Sequence, residues 1–284
     1  MIEAIIEKAL NICEKDLGLV VKEALQAVFL AGNMIKDLYG LPHHVEFKGE
    51  IDLVTEADYK SEEILVDSLN GLGSGKIMAE ESAGDLSLKD GVFWIVDPLD
   101  GTTNFAHGFP FFAPSVAYAK VENGYYETLF GIVYIPILRE LFWSVKGKGC
   151  FLNLEKVGVS KEKALSRSLL ATGFPYDIHQ HHDDVIEAFK AMIVKAQGIR
   201  RAGAAAIDLA YVACGRFDGF WEKRLKPWDT AAGILLVEEA GGRVSGYSGQ
   251  KYNPFLPEIV ASNGFIHKAM VEILTDYSCQ HTNI

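Results

Sequence analysis

Val92-Phe93-Trp94-Ile95-Val96-Asp97-Pro98-Leu99-Asp100-Gly101-Thr102-Thr103-Asn104 couples an unbroken apolar run to a polar turn. The apolar part, bounded by turn formers, predicts a buried strand over Val92–Val96. Two carboxylates, separated by a proline and closed by a glycine, leave its end. Pro98 fixes its own φ, and Gly101 permits a bend that a Cβ would resist. Such a bend aims Asp97, the Leu99 carbonyl and Asp100 at one point, an all-oxygen donor set suited to Mg²⁺. Gly101, Thr102 and Thr103 then offer N–H groups and hydroxyls to a phosphate oxygen if a helix starts there. The stretch also has an ordinary reading, because Asp-Pro and Asp-Gly close many strand ends.

Working outward, Leu17, Val21, Ala24, Val28, Ala31 and Ile35 recur at helical spacing and predict an amphipathic helix from Leu17 to Tyr39, stopped at Gly40. Met1 to Asp16 reads as a shorter helical extension. A further helix is expected after Asp58, with Ile64, Leu65 and Leu69 inward. Strands are predicted at Lys76–Ala79, Ser115–Val121, Thr128–Ile135 and Glu140–Val145, with turn signals such as Glu122-Asn123-Gly124 between them. Together with Val92–Val96 they predict a sizeable, largely antiparallel sheet. The second half alternates: strand Ser168–Thr172, helix Asp183–Ala196, helix Ala204–Cys214, strand Phe217–Glu222, helix Trp228–Ala240, strand Glu258–Ser262 and a last helix. Layered helices with two sheets follow, as an α/β (α+β layered) fold. We treat 1–284 as one domain, with helices and the large sheet over about 1–160 and an α/β half over about 161–284.

At 284 residues and 49% apolar composition, a substantial core is available. A net charge of −11 argues against general nucleic-acid binding, which draws on clustered Lys and Arg. It leaves room for a small phosphorylated substrate, since a divalent metal inverts the local field. Cys13, Cys150, Cys214 and Cys279 are widely spaced, which reads as structural thiols in a reducing compartment. With no targeting pattern and no apolar run of membrane-spanning length, a cytoplasmic location is expected.

Other acids sit at comparable positions. Glu80 and Glu81 follow the strand Lys76–Ala79, where a solvated acidic turn is the ordinary explanation. Asp229 falls in the first turn of a helix opened by Pro227, where a carboxylate is stabilised by exposed N–H groups. Asp52 and Asp58 flank a short strand running into a helix, with Asp58 read by default as that helix's N-cap. His179-Gln180-His181-His182 looks like a metal cluster, but the better reading is a loop before a helix capped by Asp183.

Together these blocks carry a resemblance. Trp94 to Phe105 resembles the first signature of the inositol monophosphatase family, and Trp228-Asp229-Thr230-Ala231-Ala232-Gly233 continuing to Gly242 resembles the second. Asp52 to Thr55 with Asp58, and Glu80-Glu81-Ser82, match its other acidic blocks in order. The likeness runs from about Val20 to the C-terminal helix and is greatest to the bacterial branch, through Ala206 to Ala213 and Leu225 to Asp229. The residues before Leu17 depart from the family's usual start.

The resemblance implies an αβαβα sandwich of the inositol monophosphatase/fructose-1,6-bisphosphatase type and a homodimer. It implies two or three Mg²⁺ ions, lithium sensitivity, and metal ligands at Glu80, Asp97, the Leu99 carbonyl, Asp100 and Asp229, with Asp97 bridging. Gly101 and Thr102 would hold the phosphate, beside Leu99 and Asp100. Glu80 and Thr102 would orient the attacking water, with Asp58 supporting Thr102. Gly203, Ala204, Ala205 and Glu222 would contact the alcohol, although Gly203-Ala204-Ala205 also reads as plain helix packing. Lys223, Arg224 and Lys226 are either solvated loop charges or partners of a second anionic group, which would favour a bisphosphate. The implied reaction is hydrolysis of myo-inositol monophosphates, small phosphorylated polyols. Fructose 1,6-bisphosphate, histidinol phosphate and adenosine 3′,5′-bisphosphate are alternative esters. A transcription-complex or RNA-associated factor, with a protein partner, is the alternative of another class.

Overall fold

The computed structural model describes residues 1–42, 45–47, 53–72, 75–82, 84, 89–179 and 182–280. The chain opens with α1 (Ile2–Ile12) and α2 (Gly18–Leu38), then β1 (Val45–Phe47), β2 (Leu53–Thr55) and α3 (Glu56–Asn70). Strands β3 (Lys76–Ala79) and β4 (Gly91–Asp100), a short α4 (Thr102–Ala106), and β5 (Ala113–Glu122) to β6 (Tyr125–Ile135) follow. Next come β7 (Glu140–Val145), β8 (Gly149–Leu152) and β9 (Glu155–Val157). The remainder is β10 (Leu169–Thr172), α5 (His182–Ile193), β11 (Gly198–Arg200), α6 (Ala205–Ala213), β12 (Gly219–Lys223), α7 (Pro227–Glu239), β13 (Arg243–Ser245), β14 (Glu258–Ser262) and α8 (His267–Gln280).

Strands β3 to β9 form a seven-stranded sheet in sequence order, antiparallel throughout except for the parallel pair β3–β4. A five-stranded mixed sheet has the order β11-β10-β12-β14-β13. The period-two alternation of β4 explains why its sequence is apolar without a break. Trp94 and Val96 face the core built with α1, α2 and α3, while Phe93 and Ile95 face the core built with α6 and α7. That second core also takes Phe220 of β12 and Ile259 of β14, so α6 and α7 lie between the sheets. On the far side, Leu170, Trp221 and Val260 pack with α5 and α8. The layers are therefore αβαβα.

On α2, Val21, Ala24, Val28, Ala31 and Ile35 are all buried. The stretch Lys15–Leu38 is long and apolar enough to cross a membrane, contrary to the reading of the sequence, but half of it is buried inside the fold. Its length and apolarity are accounted for by a core helix lying on a sheet. Helix α1 is also packed: Ile5, Ile6 and Ala9 are buried, and Lys8 Nζ donates to the Leu154 carbonyl at 2.5 Å.

Several local expectations are corrected. Strand β4 does not stop at Val96 but continues through Pro98 to Asp100, with a register shift between Asp97 and Asp100. Three steps along β4 there oppose two along β5, from Ser115 to Ala113, which is a bulge. Thr55, not Asp58, is the N-cap of α3, and Asp58 is the third helical residue of a capping box. Helix α5 begins at His182, so Asp183 lies within its first turn instead of capping it. Strands β1, β8, β9, β11 and β13 are not expected from the sequence. Asp52, Gln180 and His181 lie outside the described residues.

Candidate active site

The end of β4 gathers the acidic blocks. The parallel register pairs Ala79 with Val96, and the Glu80 N–H extends the ladder to the Val96 carbonyl at 3.2 Å. Glu80 therefore emerges beside Asp97. The bulge and Pro98, which has no N–H to give the ladder, turn Asp97, Leu99 and Asp100 out of the sheet. Leu99 N–H donates to Asp97 Oδ1 at 3.0 Å, and Ser61 Oγ donates to the Pro98 carbonyl at 2.6 Å. Gly101 follows at φ +89°, where a Cβ would stand 2.8 Å from the Phe111 carbonyl, so both conformation and space require glycine.

Two helices complete the cluster from the second half of the chain. Asp100 Oδ2 accepts the Ala206 N–H of α6 at 2.8 Å, so this carboxylate covers the exposed N–H groups of a helix from another layer. Asp229, third residue of α7, accepts the Lys226 N–H at 2.6 Å. Asn104 ties the approach to α6 in place, its Nδ2 donating to the carbonyls of Phe111 at 2.7 Å and Ala202 at 2.9 Å.

Glu80, Asp97, Leu99, Asp100, Gly101, Thr102, Gly203, Ala204, Ala205, Glu222 and Asp229 all line one cleft of about 270 Å³, room for one small ester. Asp58 lies behind it, fully buried, and accepts from the Thr102 hydroxyl at 2.8 Å. Its other oxygen accepts from Thr55 N–H at 2.8 Å and Thr55 Oγ1 at 2.6 Å. Glu81 is turned to structure, its N–H donating to Glu62 Oε2 at 2.8 Å. Exposed His179 and His182 are not among the cleft residues.

The cleft has further residues that the sequence reading missed. Gly173, Phe174, Tyr176, Arg201 and Trp228 also line it. A Cβ on Gly173 would fall 2.2 Å from both carboxylate oxygens of Glu222, so glycine makes room for that side chain. The turn-like Thr172-Gly173-Phe174-Pro175 was the available signal, but only the tertiary fold sets Glu222 over it. Lys223, Arg224 and Lys226 line the cleft too, but the first two are paired with acids. Lys223 Nζ pairs with Asp184 at 3.0 Å and Glu258 at 3.3 Å, and Arg224 pairs with Asp177 and Asp184.

Burial raises the Asp97 carboxyl well above its usual range, reinforced by Glu80, Asp100 and Asp229. Burial likewise pushes Asp100 up to about 7, against the backbone N–H groups of α6 that favour its charged form. Among the described residues, no three His, Cys, Asp or Glu side chains are already drawn together as closely as metal ligands are. Like charges repel, and three of the four acids spend an oxygen on a backbone N–H. The donor set still fits a hard divalent cation: carboxylates and one carbonyl, without thiol or imidazole. Such a cation relieves the repulsion concentrated on Asp97.

These shifts have a sign in stability. A carboxyl raised in the folded state stabilises the fold while protonated, and that contribution is lost as pH rises through its folded value. Buried His267, pushed down to about 4, acts oppositely, but only below its unfolded value of about 6.5. Between about pH 6.5 and about pH 8 the metal-free protein is therefore expected to melt at falling temperature. Saturating Mg²⁺ should lessen that fall by the share of Asp97 and Asp100, leaving the share of Asp208 and Glu222. Thermal melts in chelator and in Mg²⁺ check this; a metal-free melting temperature that rises with pH contradicts it.

With the geometry in view, comparison with known proteins is direct. The inositol monophosphatase family model matches residues 16–282. The chain is 40% identical over 261 residues to the inositol-1-monophosphatase of Synechocystis sp., covering 91% of this chain and 90% of that one. It is also 40% identical over 256 residues to Nus factor SuhB of Escherichia coli K12, covering 89% and 94%. The crystal structure of extragenic suppressor protein suhB from Bartonella henselae superposes with a TM-score of 0.83 at 38% identity, covering 94% of this chain and all of that one. A match over nearly the whole length, with the acids gathered at the end of β4, makes this chain a member of the inositol monophosphatase family.

Proposed function

We propose that this chain is a Mg²⁺-dependent phosphomonoesterase that hydrolyses myo-inositol monophosphates to myo-inositol and phosphate. The observation that carries the reading is the convergence of distant segments: Glu80 after β3, Asp97 and Asp100 of β4, Glu222 of β12 and Asp229 of α7 line one cleft. Two or three Mg²⁺ ions held by Glu80, Asp97, the Leu99 carbonyl, Asp100 and Asp229 would neutralise the ester dianion and make water a competent nucleophile. Everything else is positioning. The Thr102 hydroxyl has one proton, directed at Asp58 (2.8 Å) with the Leu99 carbonyl also in reach (3.0 Å). Its lone pairs are left to accept from the attacking water, which Glu80 would also orient. Gly101 and Thr102 present backbone N–H groups to the phosphate.

At the alcohol end, Glu222 makes no hydrogen bond among the described residues and is 7% exposed, toward the cleft. Such a carboxylate accepts hydroxyl protons from a polyol, beside Gly203, Ala204 and Ala205. The pairing of Lys223 and Arg224 with Asp184, Glu258 and Asp177 weighs against these two holding the second phosphate of fructose 1,6-bisphosphate, which leaves Lys226 and Arg201 as the other cations of the cleft. The implied homodimer and cytoplasmic location belong to the same proposal.

A second reading comes from the relative described as a Nus factor: a role with a protein partner in transcription, alongside or instead of catalysis. Asp97→Asn separates the two. As an enzyme the chain should lose kcat on inositol 1-phosphate by on the order of a thousandfold, the size of one major electrostatic contribution. Full activity in that variant contradicts the metal reading, while wild type without phosphatase activity favours the transcription role. Gly173→Ala tests the alcohol end. Displacing Glu222 is expected to raise KM for inositol 1-phosphate about tenfold with kcat less affected. An unchanged KM removes Glu222 from substrate binding.

A further inference from the structure

Glu222 has a second carboxyl group behind it that no part of the reaction has used. Asp208 lies in the first turn of α6, is 1% exposed, and neither of its oxygens meets a hydrogen-bond donor or acceptor among the described residues. Its N–H donates to the carbonyl of Ala204, at 3.0 Å, so it stands one helical turn behind a residue of the cleft wall. Helix α6 packs on β12, the strand that carries Glu222. Leaving a carboxyl bare in a packed interior is unfavourable, and an apolar side chain would fill the same place without that penalty.

The charged groups that act on Asp208 are Glu222, Asp100 and Arg201. Two are anions, and together with burial they hold the Asp208 proton on well above the usual carboxylate range. Arg201 is not within ion-pair distance of either carboxylate among the described residues; it donates to the Phe174 carbonyl and lies over the Phe174 ring, 5.4 Å from its centre. A protonated carboxyl is both a donor and an acceptor, whereas an ionised one only accepts. Burial, with Asp229 and Asp100, raises the Glu222 carboxyl in the same direction, and Glu222 meets no donor among the described residues.

We propose that Asp208 is a positioning residue for the alcohol end of the site: through one intervening water, its O–H holds the Glu222 carboxylate in the orientation that accepts substrate hydroxyls. A water between them would take Asp208 and Glu222 as its polar partners. The inference rests on the polyol reading of the cleft, and it explains why an otherwise costly group is kept in α6.

The test compares wild type, Asp208→Leu and Asp208→Asn on inositol 1-phosphate and on 4-nitrophenyl phosphate, whose leaving group has no hydroxyls for Glu222. Asp208→Leu is expected to lower the ratio of kcat/KM for the two substrates about tenfold, through KM for inositol 1-phosphate. It should melt at or above the wild-type temperature, because a bare buried acid has been replaced by hydrocarbon. Asp208→Asn, which keeps a donor and an acceptor, should return the ratio to within about twofold of wild type. A ratio unchanged in Asp208→Leu, or lowered equally in both variants, overturns the proposal. So does an Asp208→Leu protein that melts lower or does not fold, which would make the role structural. Wild type with no preference for inositol 1-phosphate overturns the polyol reading itself, a result distinct from a preference that Asp208→Leu retains.

Discussion

The bond from the Glu80 N–H to the Val96 carbonyl, at 3.2 Å, closes the parallel β3–β4 ladder, and the layout of the site depends on it. One residue beyond it β4 bulges, and Pro98 cannot continue the pairing. A sheet edge that must end somewhere thus ends with Glu80 and Asp97 side by side and Asp100 turned toward the next layer. Asp100 then accepts from the start of α6, so one carboxylate joins the seven-stranded sheet to the helices between the sheets. The acids of the cleft are thereby structural and chemical at once.

That double use explains the electrostatics. Asp97, Asp100 and Asp229 each receive a backbone N–H, at 3.0, 2.8 and 2.6 Å. Charge-assisted bonds of this kind offset part of the penalty of burial, but not the repulsion among neighbouring anions. The remainder appears as raised proton affinity on Asp97 and Asp100. A site that holds protons too tightly without a cation is one whose charge balance a divalent cation completes. Around Glu222 a different rule holds: the basic side chains Lys223 and Arg224 are tied up in ion pairs, and Glu222 is left open over Gly173.

What the sequence revealed follows from how local each signal is. Strands Glu140–Val145 and Glu258–Ser262 were legible to the residue because apolar runs meet turn formers at both ends. The three- and four-residue strands β1, β8, β9, β11 and β13 were not, since they are held by their neighbours and carry no period of their own. Asp58 looked like a cap because it precedes an apolar stripe, but Thr55 takes that place and Asp58 bridges Thr55 and Thr102. The acidic blocks could be found from motif order; Gly173, Arg201 and Asp208 could not, because their surroundings are made by distant segments. Lys223 and Arg224 looked available for a second anion only until the fold brought Asp184, Glu258 and Asp177 to them.

The central claim is that Asp97 is the hub of a divalent-cation site at the end of β4. Crystals grown with Mn²⁺, a hard cation of similar ligand preference to Mg²⁺, test it by anomalous diffraction. The account predicts anomalous peaks against Asp97, flanked by Glu80, Asp100 and Asp229. Mn²⁺ bound elsewhere on the molecule, with no peak at Asp97, would contradict it.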